Sequence, residues 1–141
     1  MTKTNDFYQI EPREAVIAVD FDGTCVEADY PNVGKSILLA EGCLRAMHNS
    51  GCKLILWTMR DGQELLDAIK WFKNKHIPLY GVQRHPLQQE WTEEQGSPKC
   101  LATYYIDDRN IGIPVKADSN GERAVDWVTL LPMLIDLGLI K

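Results

Sequence analysis

A chain of 141 residues suits one domain with one sizeable core, and 45% hydrophobic with 25% charged residues is the composition of a globular protein, not a disordered one. The net charge of −5 argues against a general polynucleotide binder, which carries a basic footprint, while leaving room for a local basic pocket. No stretch approaches the length of a membrane span.

Residues 1–13 are polar, lack an apolar signal core and read as a lead-in. Cys25, Cys43, Cys52 and Cys100 show neither C-x-x-C nor zinc-ligand spacing, so reduced thiols in a cytoplasmic protein are expected. Glu14 to Asp20 reads as a first buried strand, and Phe21 to Ile37, with Gly23, Pro31, Asn32 and Gly34, as turn and loop. A helix is expected from about Leu38 to Asn49, with Leu39, Cys43, Ala46 and Met47 on one face and Gly51 at its C-terminus.

Lys53 to Thr58 reads as a second strand. Asp61 and Glu64 have capping-box spacing and open a helix to about His76, with Leu65, Ile69 and Phe72 as its buried stripe. Tyr80-Gly81-Val82 is a short third strand. Gln83 to Lys99 holds two prolines, Gly96 and little periodicity, which predicts a loop with at most one short helix. Thr103 to Ile106 is a fourth strand, Ile111 to Val115 a short fifth, and Asp118 to Gly121 a turn. A last helix is expected over about Leu130 to Leu137, starting near Thr129 so that Pro132 falls in its first turn. Strand-helix alternation of this kind predicts an α/β fold of three layers, Rossmann-like, with a central, mostly parallel sheet and helices on both faces.

The chemistry gathers where apolar runs end. Ala15 to Val19 feeds into Asp20-Phe21-Asp22-Gly23-Thr24. In an open parallel sheet the carboxyl ends of the strands are where ligands bind. Two carboxylates so close call for a cation or a shared proton, and Mg²⁺ suits oxygen ligands and phosphate substrates. The run resembles the D-x-D-G-T signature of the haloacid dehalogenase-like superfamily, in its phosphatase branch. Three later pieces follow in that family's order: Thr58 at the second strand's end, Lys99 before the fourth strand, and Asp107-Asp108 just after it.

The resemblance implies a Mg²⁺-dependent phosphatase working through an aspartyl-phosphate. It makes Asp20 the nucleophile and Asp22 the general acid and then base, with the Asp22 backbone carbonyl a further Mg²⁺ ligand. It gives Thr58 a hydrogen bond to a phosphoryl oxygen, and Lys99 the positive charge that holds the nucleophile and phosphoryl group. Asp107 is favoured as direct metal ligand with Asp108 behind it, and the reverse order stays open. Arg60, two residues after Thr58, is within reach of substrate or of Asp61. Lys73, Lys75 and Arg84 come too early in the order to replace Lys99.

Neither interval that houses a cap in relatives has room for one here, so a single capless domain with an open site is expected. Its partner is a phosphorylated substrate, small or macromolecular; no membrane or nucleic acid is indicated, and a homo-oligomer is open. The rim is expected over residues 27–35 and 83–91, with Tyr30, Lys35, Arg84, His85 and Trp91 as substrate contacts. A non-catalytic binding or regulatory domain on the same fold is the alternative. A phospho-acceptor receiver domain fits less well, because its acidic pair comes early in the chain.

Overall fold

The computed structural model describes residues 15–141, so the lead-in and Glu14 lie outside the described residues. Four short strands form a parallel sheet: β1 (Val16–Val19), β2 (Lys53–Leu56), β3 (Gly81–Val82) and β4 (Tyr104–Ile106). Their order is β3-β2-β1-β4, which puts β1 in the middle. All four residues of β1 are buried, as expected of a strand covered on both faces. The register pairs Ile17 with Leu54 and Tyr104, and Val19 with Leu56 and Ile106.

Because side chains alternate across a strand, each face has its own cluster. Ile17, Val19, Leu54, Leu56 and Ile106 face the main core. Three helices complete it: α1 (Ala40–Asn49), α2 (Gly62–Asn74) and α3 (Trp127–Asp136). They contribute Leu44 and Met47, Trp71 and Phe72, and Trp127 and Leu130 respectively. Val16, Ala18 and Ile55 face the other way, against Cys100, Trp57 and Tyr105. The layer there is the connection over residues 83–103, which carries no helix or strand. Its two prolines and missing periodicity account for a loop where a helix would otherwise pack. The fold is a three-layer, Rossmann-like α/β arrangement around a central parallel sheet.

Several boundaries differ from expectation. Leu39 does not join the buried face of α1; it takes a left-handed conformation at the N-cap and is exposed. The helix ends in a Schellman motif, with Cys52 N–H donating to the Met47 carbonyl and Gly51 N–H to that of His48 (both 3.0 Å), and Gly51 at φ 106°. Asp61 is the N-cap of α2, but its side chain makes no capping bond, so the capping box is not formed.

The last helix begins at Trp127, ahead of the expected start. Asp126 caps it, accepting from the Thr129 N–H (3.3 Å) and hydroxyl (2.7 Å). Pro132 therefore lies in the second turn, on the exposed side, where water reaches the backbone it disrupts. The expected fifth strand starts only at Val115: β5 (Val115–Ala117) and β6 (Arg123–Val125) form an antiparallel hairpin outside the main sheet. Asp118 Oδ1 accepts the N–H groups of Asn120 (2.8 Å) and Glu122 (3.0 Å) to shape its turn. No described helix is long and apolar enough to cross a membrane. All four cysteines are buried and unbridged.

Candidate functional site

The loops that leave β1, β2 and β4 share one edge of the sheet, and between them lies a hollow of about 480 Å³. Its lining includes Asp20, Asp22, Thr58, Asp107 and Asp108, together with Met59 and Arg109. Asp20 is held at the end of β1 by its N–H, which donates to the Ile106 carbonyl (2.9 Å). The Thr24 hydroxyl donates to Asp20 Oδ2 (2.9 Å) and accepts the Asp108 N–H (3.1 Å), tying the first loop to the last. Thr24 is fully buried, and the Trp127 indole N–H caps its carbonyl (2.7 Å).

Gly23 makes the turn possible. Its φ is +80°, and a Cβ there would lie 2.9 Å from Asp108 Oδ2. The carboxylates of Asp20, Asp107 and Asp108 offer oxygens within 4.8 Å of one another. Burial, and then the neighbouring Asp107 charge, push the Asp20 carboxyl up to about 8. Asp108 is also raised, first by burial and then by its contact with Asp107. Arg123 offsets this little, with Nε 3.8 Å from Asp108 on a half-exposed side chain. A half-buried set of oxygen donors with too much negative charge fits a hard divalent cation such as Mg²⁺.

Asp22 has a partner of its own. Arg60 Nε donates to Asp22 Oδ2 and Nη2 to Oδ1, both at 2.7 Å, a bidentate pair. Nη1 donates to the carbonyls of Pro31 (3.3 Å) and Glu64 (3.2 Å), and Nη2 also to that of Asn32 (2.6 Å). The guanidinium lies 5.0 Å from the Phe21 ring and 5.3 Å from that of Tyr30. Its five N–H donors are thus all spent, and the side chain is 1% exposed.

Neither a protein-family model nor a curated protein matches this chain. Among solved structures, a conserved protein coded by a locus of Bacteroides thetaiotaomicron is 35% identical, with a TM-score of 0.68. The match covers 86% of this chain and 90% of that one. This chain belongs to the family of that Bacteroides protein. The likeness extends over most of both family members.

Of the residues singled out in the sequence of this family member, Asp20, Asp22, Thr58, Asp107 and Asp108 come together. Two do not. Arg60 is no substrate contact: it is buried and faces Asp22. Lys99 lies on the connection over residues 83–103, its ammonium 5.4 Å from the Tyr105 ring, beside a different hollow that it lines with Gln88, Ser97 and Tyr105. The expected rim holds only in part. Ala28, within residues 27–35, lines the acidic pocket, but Tyr30 packs on Arg60, and Lys35, Arg84, His85 and Trp91 are absent from the lining, where Met59 and Arg109 stand. Arg84 bonds the Gln88 carbonyl, and His85 stacks edge-on against Tyr80.

Two supports had no role in the sequence reading. Thr24 was part of a motif without an assigned task. Gln83 opens a loop and carries no motif, yet its side chain bonds both the N–H (2.8 Å) and the carbonyl (2.7 Å) of Thr58.

Proposed function

We propose that this chain is a Mg²⁺-dependent phosphatase of the haloacid dehalogenase-like kind, acting on phosphomonoesters through an aspartyl-phosphate on Asp20. The observation that carries this reading is the convergence of Asp20, Asp22, Thr58, Asp107 and Asp108, from three separate loops, on one pocket. Asp20, Asp107 and Asp108 would hold the Mg²⁺, which supplies neutralisation of phosphate charge when bound.

The Thr24 hydroxyl occupies Asp20 Oδ2, which leaves Oδ1 to attack phosphorus. As the Oδ1–P bond forms, the bond from phosphorus to the leaving oxygen breaks, and Asp22, having taken up a proton from solvent before this step, gives it to that oxygen. Asp22 then takes a proton from water as its oxygen attacks the phosphoryl group, releasing inorganic phosphate and restoring Asp20. The Arg60 clamp takes one lone pair on each Asp22 oxygen and leaves a second on each for these transfers. Thr58 orients a phosphoryl oxygen. The pocket's open mouth admits either a small phosphorylated molecule or the phosphate of a macromolecule.

A second reading is a silent binding domain on the same fold. It is favoured by the position of Lys99, which leaves the phosphoryl group without its expected cation. Phosphate release from a panel of phosphorylated metabolites and peptides, with Mg²⁺ and with chelator, separates the two. Turnover that needs Mg²⁺ and disappears in Asp20→Asn is expected. Equal turnover in that variant removes Asp20 as nucleophile, and silence across the panel from folded protein favours the binding domain.

A further inference from the structure

β3 ends at Val82, yet one further backbone hydrogen bond joins the chain after it to the end of β2. The Gln83 N–H donates to the Leu56 carbonyl (2.7 Å), continuing the parallel ladder by one step. The backbone then turns away, with Gln83 at φ 67°, in the left-handed region that favours glycine. From there the side chain does what the next peptide group would have done. Oε1 accepts the Thr58 N–H (2.8 Å), and Nε2 donates to the carbonyls of Thr58 (2.7 Å) and Arg60 (3.2 Å). The amide has only one workable orientation, because the Thr58 N–H must meet an acceptor and the two carbonyls must meet a donor.

We propose that Gln83 is a positioning residue for the phosphoryl-transfer site. Its amide fixes the segment 58–60, and so sets the place of Thr58 and, through the Arg60 clamp, the place of Asp22. The consequence for catalysis rests on the phosphatase reading above; the hold on Arg60 does not. Thr58 and Asp22 belong to different loops, and Arg60 reaches Asp22 across 38 residues of sequence. One amide therefore coordinates the group that receives the phosphoryl oxygens with the group that exchanges protons. Displacements of a fraction of an ångström matter at such a site.

The test uses Gln83→Ala and Gln83→Glu. The second keeps an acceptor for the Thr58 N–H but sets a carboxylate oxygen against two carbonyls. The first readout is hydrogen exchange of the Arg60 Nε–H by ¹⁵N NMR, with the buried Trp127 indole N–H, bonded to Thr24, as internal reference. Exchange of Arg60 faster by about tenfold or more in both variants, with Trp127 unchanged, is expected for a local loss of hold. The second readout is the ratio of kcat/KM for an aryl phosphate to that for an alkyl phosphate. It should rise about tenfold, because a displaced Asp22 penalises the poorer leaving group more. The folded fraction cancels in that ratio, so lost stability alone does not move it.

Arg60 exchange that is unchanged, or accelerated only in step with Trp127, overturns the proposal. So does a released Arg60 with an unchanged substrate ratio, since the hold then fails to reach the chemistry. A wild-type protein silent on both esters overturns the phosphatase reading, and the exchange measurement still decides whether Gln83 holds Arg60.

Discussion

Replacing Arg60 by Met removes the guanidinium and keeps most of the apolar stem. Two charge-assisted bonds to Asp22 at 2.7 Å disappear, each of a kind worth about 1.5–3 kcal/mol. The carbonyls of Pro31, Asn32 and Glu64 lose donors as well, but the first two belong to exposed residues and regain water. The Asp22 side chain is 24% exposed, so it too is partly rehydrated. The expected loss therefore falls at the lower end of the range for breaking a buried pair, about 3 kcal/mol. In a domain of this size that lowers Tm by about 10 °C.

Urea denaturation reads the loss as a fall in midpoint of about 1.5–2 M at unchanged m. The double variant Arg60→Met with Asp22→Leu removes both charges, and should recover part of the loss, because no half-buried carboxylate is left without its partner. A single-variant loss below about 1 kcal/mol would match an ordinary surface pair and refute the clamp as a structural hub.

Three further outcomes are expected. Lys99→Ala should change phosphate turnover by less than about threefold, because its ammonium lies over Tyr105 and outside the acidic pocket; a loss of two orders of magnitude, the usual scale for a lost charge stabiliser, would place it at the phosphoryl group after all. Asp20 has its carboxyl raised from 3.8 to about 8, so the metal-free folded state holds a proton that the unfolded chain gives up. The contribution of Asp20 to stability should be full below pH 3.8 and be lost as pH rises toward 8, so that over this range stability falls more steeply in wild type than in Asp20→Asn; parallel curves would sink this. Gly23→Ala forces a Cβ to within 2.9 Å of Asp108 Oδ2 at a φ of +80°, so it should cost about 1–2 kcal/mol by denaturation and weaken Mg²⁺ binding by calorimetry, and wild-type values in both would refute the close approach.

The carboxylates were legible because each follows an apolar run, and a parallel sheet brings the ends of such runs to one edge. Asp20, Thr58 and Asp107 needed only their strands to be placed. Arg60 carried no such signal: two residues past Thr58, a side chain that turns outward and one that folds back to Asp22 look alike in sequence. Lys99 depended on how a loop without periodicity lies across the sheet, and its order in the chain said nothing about its distance from Asp20. Gln83 is a lone glutamine whose role exists only once β2 and β3 are side by side. The start of the last helix was readable, since Asp126 and Thr129 have the spacing of an N-cap pair, but Pro132 suggested a later beginning. In β6 the three residues Arg-Ala-Val are too few to show a period.

The connection over residues 83–103 gives the two faces of the sheet unequal strength. Three helices hold one face, whereas on the other only Cys100 of the connection is fully buried, over a patch of Val16, Ala18 and Ile55. Its polar ties to the sheet are few, among them the Val16 N–H to the Thr103 hydroxyl, the Thr103 N–H to the Val16 carbonyl and the Tyr105 hydroxyl to the Cys100 carbonyl, whereas the bonds from Gln88 to Ser97 and Lys99 lie within the connection itself. So little buried surface sets a low free energy for opening this segment by itself. The face under the connection is therefore the one expected to open first. A protease or an inserted sequence meets its least resistance near residues 89–97, while β1 and β4 stay paired and the helical core stays shut. Gln83 stands at the hinge of that opening, where the connection leaves the sheet, and any strain on the peeling segment is delivered first to the amide that grips Thr58 and Arg60.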